Sequence, residues 1–253
     1  MNYTLQYASN FFLNLHRQRN FQKMLIPSSE NLALLGNICS LDTDESRKSY
    51  KDFLHYVTKG WKNIYIVPGP WEMASMEPRA YETNIKSLYA LKKDYGNLHI
   101  LNNSIVSLPN VNIQLIGSTL WSKKIYPSVA NYIWQKHFQG FRNITETHTK
   151  FWHKEDIQFL INTIDPDMRY IVLTHHSPII IQENIVDINL DKYMKKPIEI
   201  WLGGSGDRHI TGTLGENVFC GTNPYTLFST AKNTMISSYN PEAYISLKTS
   251  PLI

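Results

Sequence analysis

The feature that most constrains this chain is a repeated unit: an apolar run of strand length that stops in a short loop rich in Gly, Asn, Pro or His. Leu5–Ala8 runs into Ser9-Asn10, Asn31–Leu35 into Gly36-Asn37, and Trp61–Val67 into Pro68-Gly69-Pro70. Arg169–Thr174 runs into His175-His176, and Ile198–Leu202 into Gly203-Gly204. Runs with so little polar alternation suit strands buried on both faces, and such strands need helices to cover them. Helical spacing appears between them. Asp44–Thr58 places Tyr50, Phe53, Leu54 and Val57 on one stripe, and Tyr81–Asp94 marks its turns with Ile85, Leu88, Tyr89 and Lys92. Thr149–Ile164 is a third helix, stopped before Pro166, and Lys192–Lys195 ends a short fourth.

From Leu98 the period switches to two. Leu98–Leu101, Ser104–Leu108 and Val111–Gly117 read as strands joined by the turns Asn102-Asn103 and Pro109-Asn110. Ile210–Leu214, Val218–Gly221 and Tyr244–Leu247 repeat that pattern near the C-terminus. Strand–helix alternation followed by hairpins predicts two stacked sheets with helices outside. No linker or internal repeat interrupts residues 1–253, which we read as one domain.

Composition removes several function classes. With 42% hydrophobic, 12% aromatic and 18% charged residues, the chain has the make-up of an ordinary globular protein, not a disordered one. The net charge of +4 comes from interspersed Lys and Arg, so no dedicated nucleic-acid patch is expected. Cys39 and Cys220 lie far apart without CxxC spacing and read as reduced thiols. Met1–Tyr7 lacks the basic and apolar regions of a secretory signal, and no apolar stretch is long enough to cross a bilayer. A cytoplasmic protein is the expectation. Free use of Asn, Ile, Lys and Tyr suits an AT-rich genome, such as that of a virus of a single-celled eukaryote, which would place the chain in the host cytoplasm.

Five loops fall in a recognisable order: Ser9-Asn10-Phe11-Phe12, Gly36-Asn37, Gly69-Pro70-Trp71-Glu72, Thr174-His175-His176-Ser177-Pro178 and Gly204-Ser205-Gly206-Asp207. Gly117-Ser118-Thr119-Leu120-Trp121-Ser122 and Asn223-Pro224-Tyr225 add two more blocks. Together they resemble the calcineurin-like metallophosphoesterase signature, which reads Asp-x-His, Gly-Asp, Gly-Asn-His-Glu, His and Gly-His-x-His. The resemblance spans Leu5 to about Leu247. It implies an α/β fold, the four-layer metallophosphoesterase sandwich, with two mixed β-sheets flanked by helices.

Active members of that family hold two divalent cations between carboxylates, imidazoles and one Asn amide, and use them to activate a water and clamp a phosphoryl group. Carried over position by position, the first-loop Asp and His correspond to Asn10 and Phe12, and the bridging Asp to Asn37. The Asn ligand corresponds to Pro70, and the His that serves as general acid to Trp71. The two His of the last block correspond to Ser205 and Asp207. Only His175 keeps its residue type. Asn10 and Asn37 offer no negative charge to a dication, and Pro70 has no side-chain donor atom. The replacements therefore read as a coherent neutralisation, with Phe12 and Trp71 projecting into the space of the ions.

The resemblance thus implies a catalytically degenerate homologue that serves as a scaffold or binding protein, with no catalytic residue, no cofactor and a protein partner of unknown identity. The retromer subunit is the family's precedent. Two other readings remain open. A rebuilt mononuclear site could hold one weakly bound Mn, Zn or Fe through His175 and His176 with Asp207, His209 or Asn10, and support divergent phosphoester hydrolysis. A nucleotide or phosphate sensor could use the Gly203–Gly206 turn or an aromatic pocket of Phe11, Phe12, Trp71 and Trp121. The aromatic run from Tyr126 to Phe141 reads as either core or a partner surface.

Overall fold

The computed structural model describes residues 2–15, 20–75, 81–108, 111–122, 144–178, 190, 193–205, 210–216, 218–223, 227–229, 235–237 and 244–248. Two mixed sheets form its frame. One has the order β13-β1-β2-β3-β4, built from β1 (Asn2–Ala8), β2 (Asn31–Leu34), β3 (Asn63–Ile66), β4 (Leu98–Ile100) and β13 (Tyr244–Lys248). Its four N-terminal strands run parallel and β13 closes it antiparallel. The second has the order β5-β6-β7-β8-β10-β9. Its strands are β5 (Ser104–Ser107), β6 (Gln114–Ser118), β7 (Tyr170–Thr174), β8 (Ile198–Gly203), β9 (Ile210–Leu214) and β10 (Val218–Thr222). The run β6-β7-β8-β10 is parallel, with antiparallel partners at both ends.

Side-chain alternation sorts the core into layers. Ala33 and Leu35 of the β2 segment, Tyr65 and Val67 of the β3 segment, and Leu5 and Tyr7 of β1 face the other sheet, where Leu115, Ile171, Leu173, Ile200 and Leu202 meet them. Leu32, Leu34, Ile64 and Ile66 point the opposite way, onto Tyr50, Phe53, Leu54 and Val57 of helix α2 (Asp44–Gly60). On the far side Ile116, Tyr170, Val172, Ile198 and Trp201 pack against Leu160 of helix α5 (Glu146–Thr163). The central strands β2, β3, β6, β7 and β8 are therefore buried on both faces, as their unbroken apolar runs require.

Local chemistry sets the helix ends. Thr43 caps α2 by accepting the N–H of Ser46 at 3.1 Å, and Asp44 and Glu45 sit favourably in the positive first turn. Thr145 caps α5 through the N–H of His148, so that helix begins three residues before the expected Thr149. Two short helices, α1 (Phe21–Met24) and α3 (Pro70–Met73), are too brief for periodicity to reveal, as is the 3-10 turn Leu13–Leu15. The hairpin of β11 (Leu227–Ser229) and β12 (Met235–Ser237) was likewise not anticipated.

Helix α4 (Tyr81–Lys92) departs from its expected stripe. It buries Leu88, but its other fully buried residue is Asn84, while Tyr89 is exposed. The Asn84 amide donates to the carbonyls of Met73 and Ala74, so α4 docks partly by capping the end of α3. The aromatic run from Tyr126 to Phe141, Lys192 and Pro224-Tyr225 lie outside the described residues. No helix among the described residues is long and apolar enough to cross a membrane.

Candidate functional site

The loops that leave β1, β2, β3, β6, β7 and β8 meet at one end of the two sheets, laced together largely by main-chain bonds. Asn10, Phe12 and Leu13 donate their N–H groups to the carbonyls of Gly36, Asn37 and Ile38. Ser9 N–H reaches Asn223 O, and His176 N–H reaches Thr119 O. The lacing needs close approach and unusual backbone. Gly36 has φ +82°, and a Cβ there would stand 2.6 Å from His175 Nδ1 and 2.7 Å from Gly69 Cα. Asn10, Phe12, Asn37 and Leu120 are also left-handed, with φ of 60°, 46°, 56° and 52°. Asn tolerates that region, whereas Phe and Leu occupy it only where their surroundings impose it.

Asn10, Asn37 and His175 do come together, all buried. Their hydrogen bonds fix which atom faces which. Trp71 N–H donates to Asn37 Oδ1 at 3.0 Å, so the Asn37 amide nitrogen must point the other way. There Nδ2 donates to Asn10 Oδ1 at 3.1 Å and lies 3.3 Å from His175 Nε2. His175 Nδ1 is 2.8 Å from the Leu35 carbonyl, which can only accept, so Nδ1 carries the ring proton and Nε2 is the acceptor. Asn10 Nδ2 closes the chain on Gly204 O at 3.1 Å, beside the Ser9 hydroxyl at 2.7 Å. The result is a neutral relay in which the Asn37 carboxamide ties four loops together.

Beneath it lies one carboxylate. Glu72 is fully buried and accepts the N–H groups of Ile38 at 2.6 Å, Gly69 at 2.8 Å and Asn37 at 2.9 Å. Burial pushes its carboxyl up to about 7, against the pull of those donors. Burial also lowers the imidazoles, His175 to about 3 and His176 to about 4, so both rings are neutral at physiological pH.

Phe12 and Trp71 pack edge to face with centroids 4.9 Å apart, and both are buried. The Trp71 indole N–H donates to Asn14 Oδ1 at 2.7 Å. The four aromatics considered as one pocket are divided. Phe11 packs on Phe53, whereas Trp121 joins Trp152 and Tyr81. Pro70 opens α3 at its first position, where a missing N–H costs nothing.

The Gly-rich turn is not arranged as a phosphate cradle in its described part. Gly204 N–H already donates to Thr174 O and His175 O, and Ser205 N–H to His175 O, while Ser205 Oγ accepts from Ser177 N–H. The rings of His175 and His176 meet edge to face, and His176 Nδ1 lies 3.4 Å from Thr119 O. Gly206, Asp207 and His209 lie outside the described residues.

Two divalent cations need lone pairs on several anionic oxygens at one point. Among the described residues the donor set does not fit them. The Asn37 group that faces His175 and Asn10 is an NH2, the His175 lone pair is directed at that NH2, and the nearby Glu72 oxygens are engaged by backbone N–H groups. Among the described residues no three His, Cys, Asp or Glu side chains are placed to hold a metal ion. Sequence reasoning overlooked the anchoring roles of Asn14 and Asn84. An Asn a few residues past a strand's end was the only signal for the first.

Comparison with known structures defines the class of fold. The chain matches the phosphopantetheinyl hydrolase PptH from Mycobacterium tuberculosis with a TM-score of 0.62 at 12% identity, over 87% of this chain and 88% of that one. It matches the protein TT1561 of Thermus thermophilus with a TM-score of 0.58 at 13% identity, over 88% and 90%. The two mixed sheets flanked by helices are thus a metallophosphoesterase fold. Nearer in sequence stands an uncharacterised protein of Acanthamoeba polyphaga mimivirus, 28% identical over 247 residues, which cover 85% of this chain and 83% of the viral protein. No family profile matches the chain.

Proposed function

We propose that this protein is a catalytically silent metallophosphoesterase homologue that works as a scaffold for a protein partner. The observation that carries this reading is the orientation of the Asn37 carboxamide. A hydrolytic centre would need a carboxylate lone pair where Asn37 Nδ2 presents N–H bonds to Asn10 Oδ1 and His175 Nε2. The buried Phe12–Trp71 pair supports it, since neither ring can ligate an ion or transfer a proton at the positions aligned with two family imidazoles. Nor would the neutral relay attract a phosphate dianion, which argues against a phosphate sensor.

The test joins two measurements on the purified full chain. After incubation with Mn²⁺ or Zn²⁺ and gel filtration, metal content should stay well below one ion per chain, and bis-(p-nitrophenyl) phosphate turnover should equal the blank. One tightly held ion per chain, with turnover abolished by His175→Ala, would establish the rebuilt mononuclear hydrolase instead. A nucleotide that raises the melting temperature without turnover would establish the sensor.

A further inference from the structure

Away from the relay, helix α5 buries, besides Thr149 in its first turn, the polar side chains of His153 and Asp156, three residues apart and so on one face. Both reach the same residue of another element. Asp156 Oδ2 accepts the backbone N–H of Trp121 at 2.8 Å, and His153 Nδ1 donates to the backbone carbonyl of Trp121. That carbonyl can only accept, so Nδ1 bears the ring proton. One turn of helix thereby holds both polar groups of a single residue.

The Trp121 side chain is held as well. Its indole lies 4.9 Å, centroid to centroid, from Trp152 of the same helix and 6.2 Å from the His176 ring. Leu120, just before it, is left-handed, a conformation a branched aliphatic residue keeps only under external constraint. The other oxygen of Asp156 accepts Asn103 Nδ2 at 2.7 Å, which brings the left-handed turn before β5 into the same grip. Asn103 Oδ1 is buried with no partner among the described residues.

We propose that His153 and Asp156 are positioning residues that pinch the backbone of Trp121 from α5 and so fix its indole between Trp152 and His176. The arrangement holds whether or not the relay ever supports chemistry, so it does not rest on the scaffold reading. It also makes an uneven prediction about substitutions. Asp156→Asn keeps an oxygen for Trp121 N–H, and its new NH2 finds an acceptor once the Asn103 amide turns end for end. Asp156→Ala leaves both Asn103 and Trp121 N–H unmet. His153→Gln keeps a donor for the Trp121 carbonyl, and His153→Leu does not.

Circular dichroism of the full chain reads the geometry directly, because two indoles this close give an exciton couplet. Trp121→Phe identifies the couplet by abolishing it. Asp156→Ala and His153→Leu should weaken it at least twofold, while Asp156→Asn and His153→Gln should leave it within about a tenth of wild type. An unchanged couplet in both drastic variants would overturn the proposal, as would equal loss in the conservative and drastic pairs. Should Asp156→Ala fail to fold, the His153 pair decides alone, because His153→Leu fills the buried site with a side chain of similar size.

Discussion

Asn37→Asp is the most informative single change, because it exchanges one NH2 for a charged oxygen and leaves the rest of the side chain as it was. Shape and volume are conserved, and Asp tolerates the left-handed φ of 56° about as well as Asn. The new carboxylate can still accept Trp71 N–H. What it cannot do is donate. Asn10 Oδ1 and His175 Nε2 each lose the N–H that Asn37 directs at them and face a second lone pair instead. Trading a buried hydrogen bond for a lone-pair contact costs about 1–3 kcal/mol, so two such exchanges predict a loss of about 4 kcal/mol. In a chain of this length each kcal/mol corresponds to about 2–4 °C in melting temperature, giving a fall of about 12 °C. Scanning calorimetry at pH 7.5 with EDTA measures it, and Asn37→Ser serves as a control that keeps a donor but loses reach. A fall under 3 °C, or a rise, would mean that the pocket accommodates a charge, and the neutral relay would not be what joins these loops.

The remaining predictions concern titration and packing. The folded state raises the Glu72 carboxyl to about 7, so folding favours its protonated form. The stability it contributes is fully present below about pH 4.5 and lost as pH rises through 7. Glu72→Gln should remove that falling component, about 1.4 kcal/mol per pH unit in urea melts between pH 5 and 7, and lose about 1–3 kcal/mol where an amide NH2 meets a backbone N–H. His176 has the opposite sign. Burial lowers it to about 4, so its contribution is present above pH 6.5 and lost as pH falls towards 4. His176→Gln should flatten the acid limb by a similar slope, and an unchanged limb would refute the assignment. Gly36→Ala places a methyl group 2.6 Å from His175 Nδ1 at φ +82°, and should cost more than about 1 kcal/mol in the same melts.

Much of the frame was legible because buried parallel strands advertise themselves. Leu32 to Leu35 and Ile171 to Leu173 are apolar on both faces, and the stripe Tyr50, Phe53, Leu54 and Val57 could only be a helix seated on them. The meeting of Asn10, Asn37 and His175 was legible from the order of the loops. The direction of each amide was not, since it depends on a backbone N–H, that of Trp71, from a third loop. The roles of Glu72 and Asp156 were hidden for a related reason. A carboxylate that serves main-chain donors leaves no partner residue in the sequence to pair it with. Helix α4 was misjudged at Tyr89 because Asn84 displaced an apolar residue from the buried position by capping α3.

The close approach at Gly36 recurs at other glycines of these loops, with a consequence for how such a protein can change. At Gly36, Gly69 and Gly204 an added methyl would collide with neighbouring loops, at Gly204 with the Leu35 carbonyl itself. The contour of this end of the molecule is therefore written mostly in main chain, amide to carbonyl. Side chains projecting from it can drift in identity while the outline they project from stays put. A surface of that kind keeps its shape through a change of occupation.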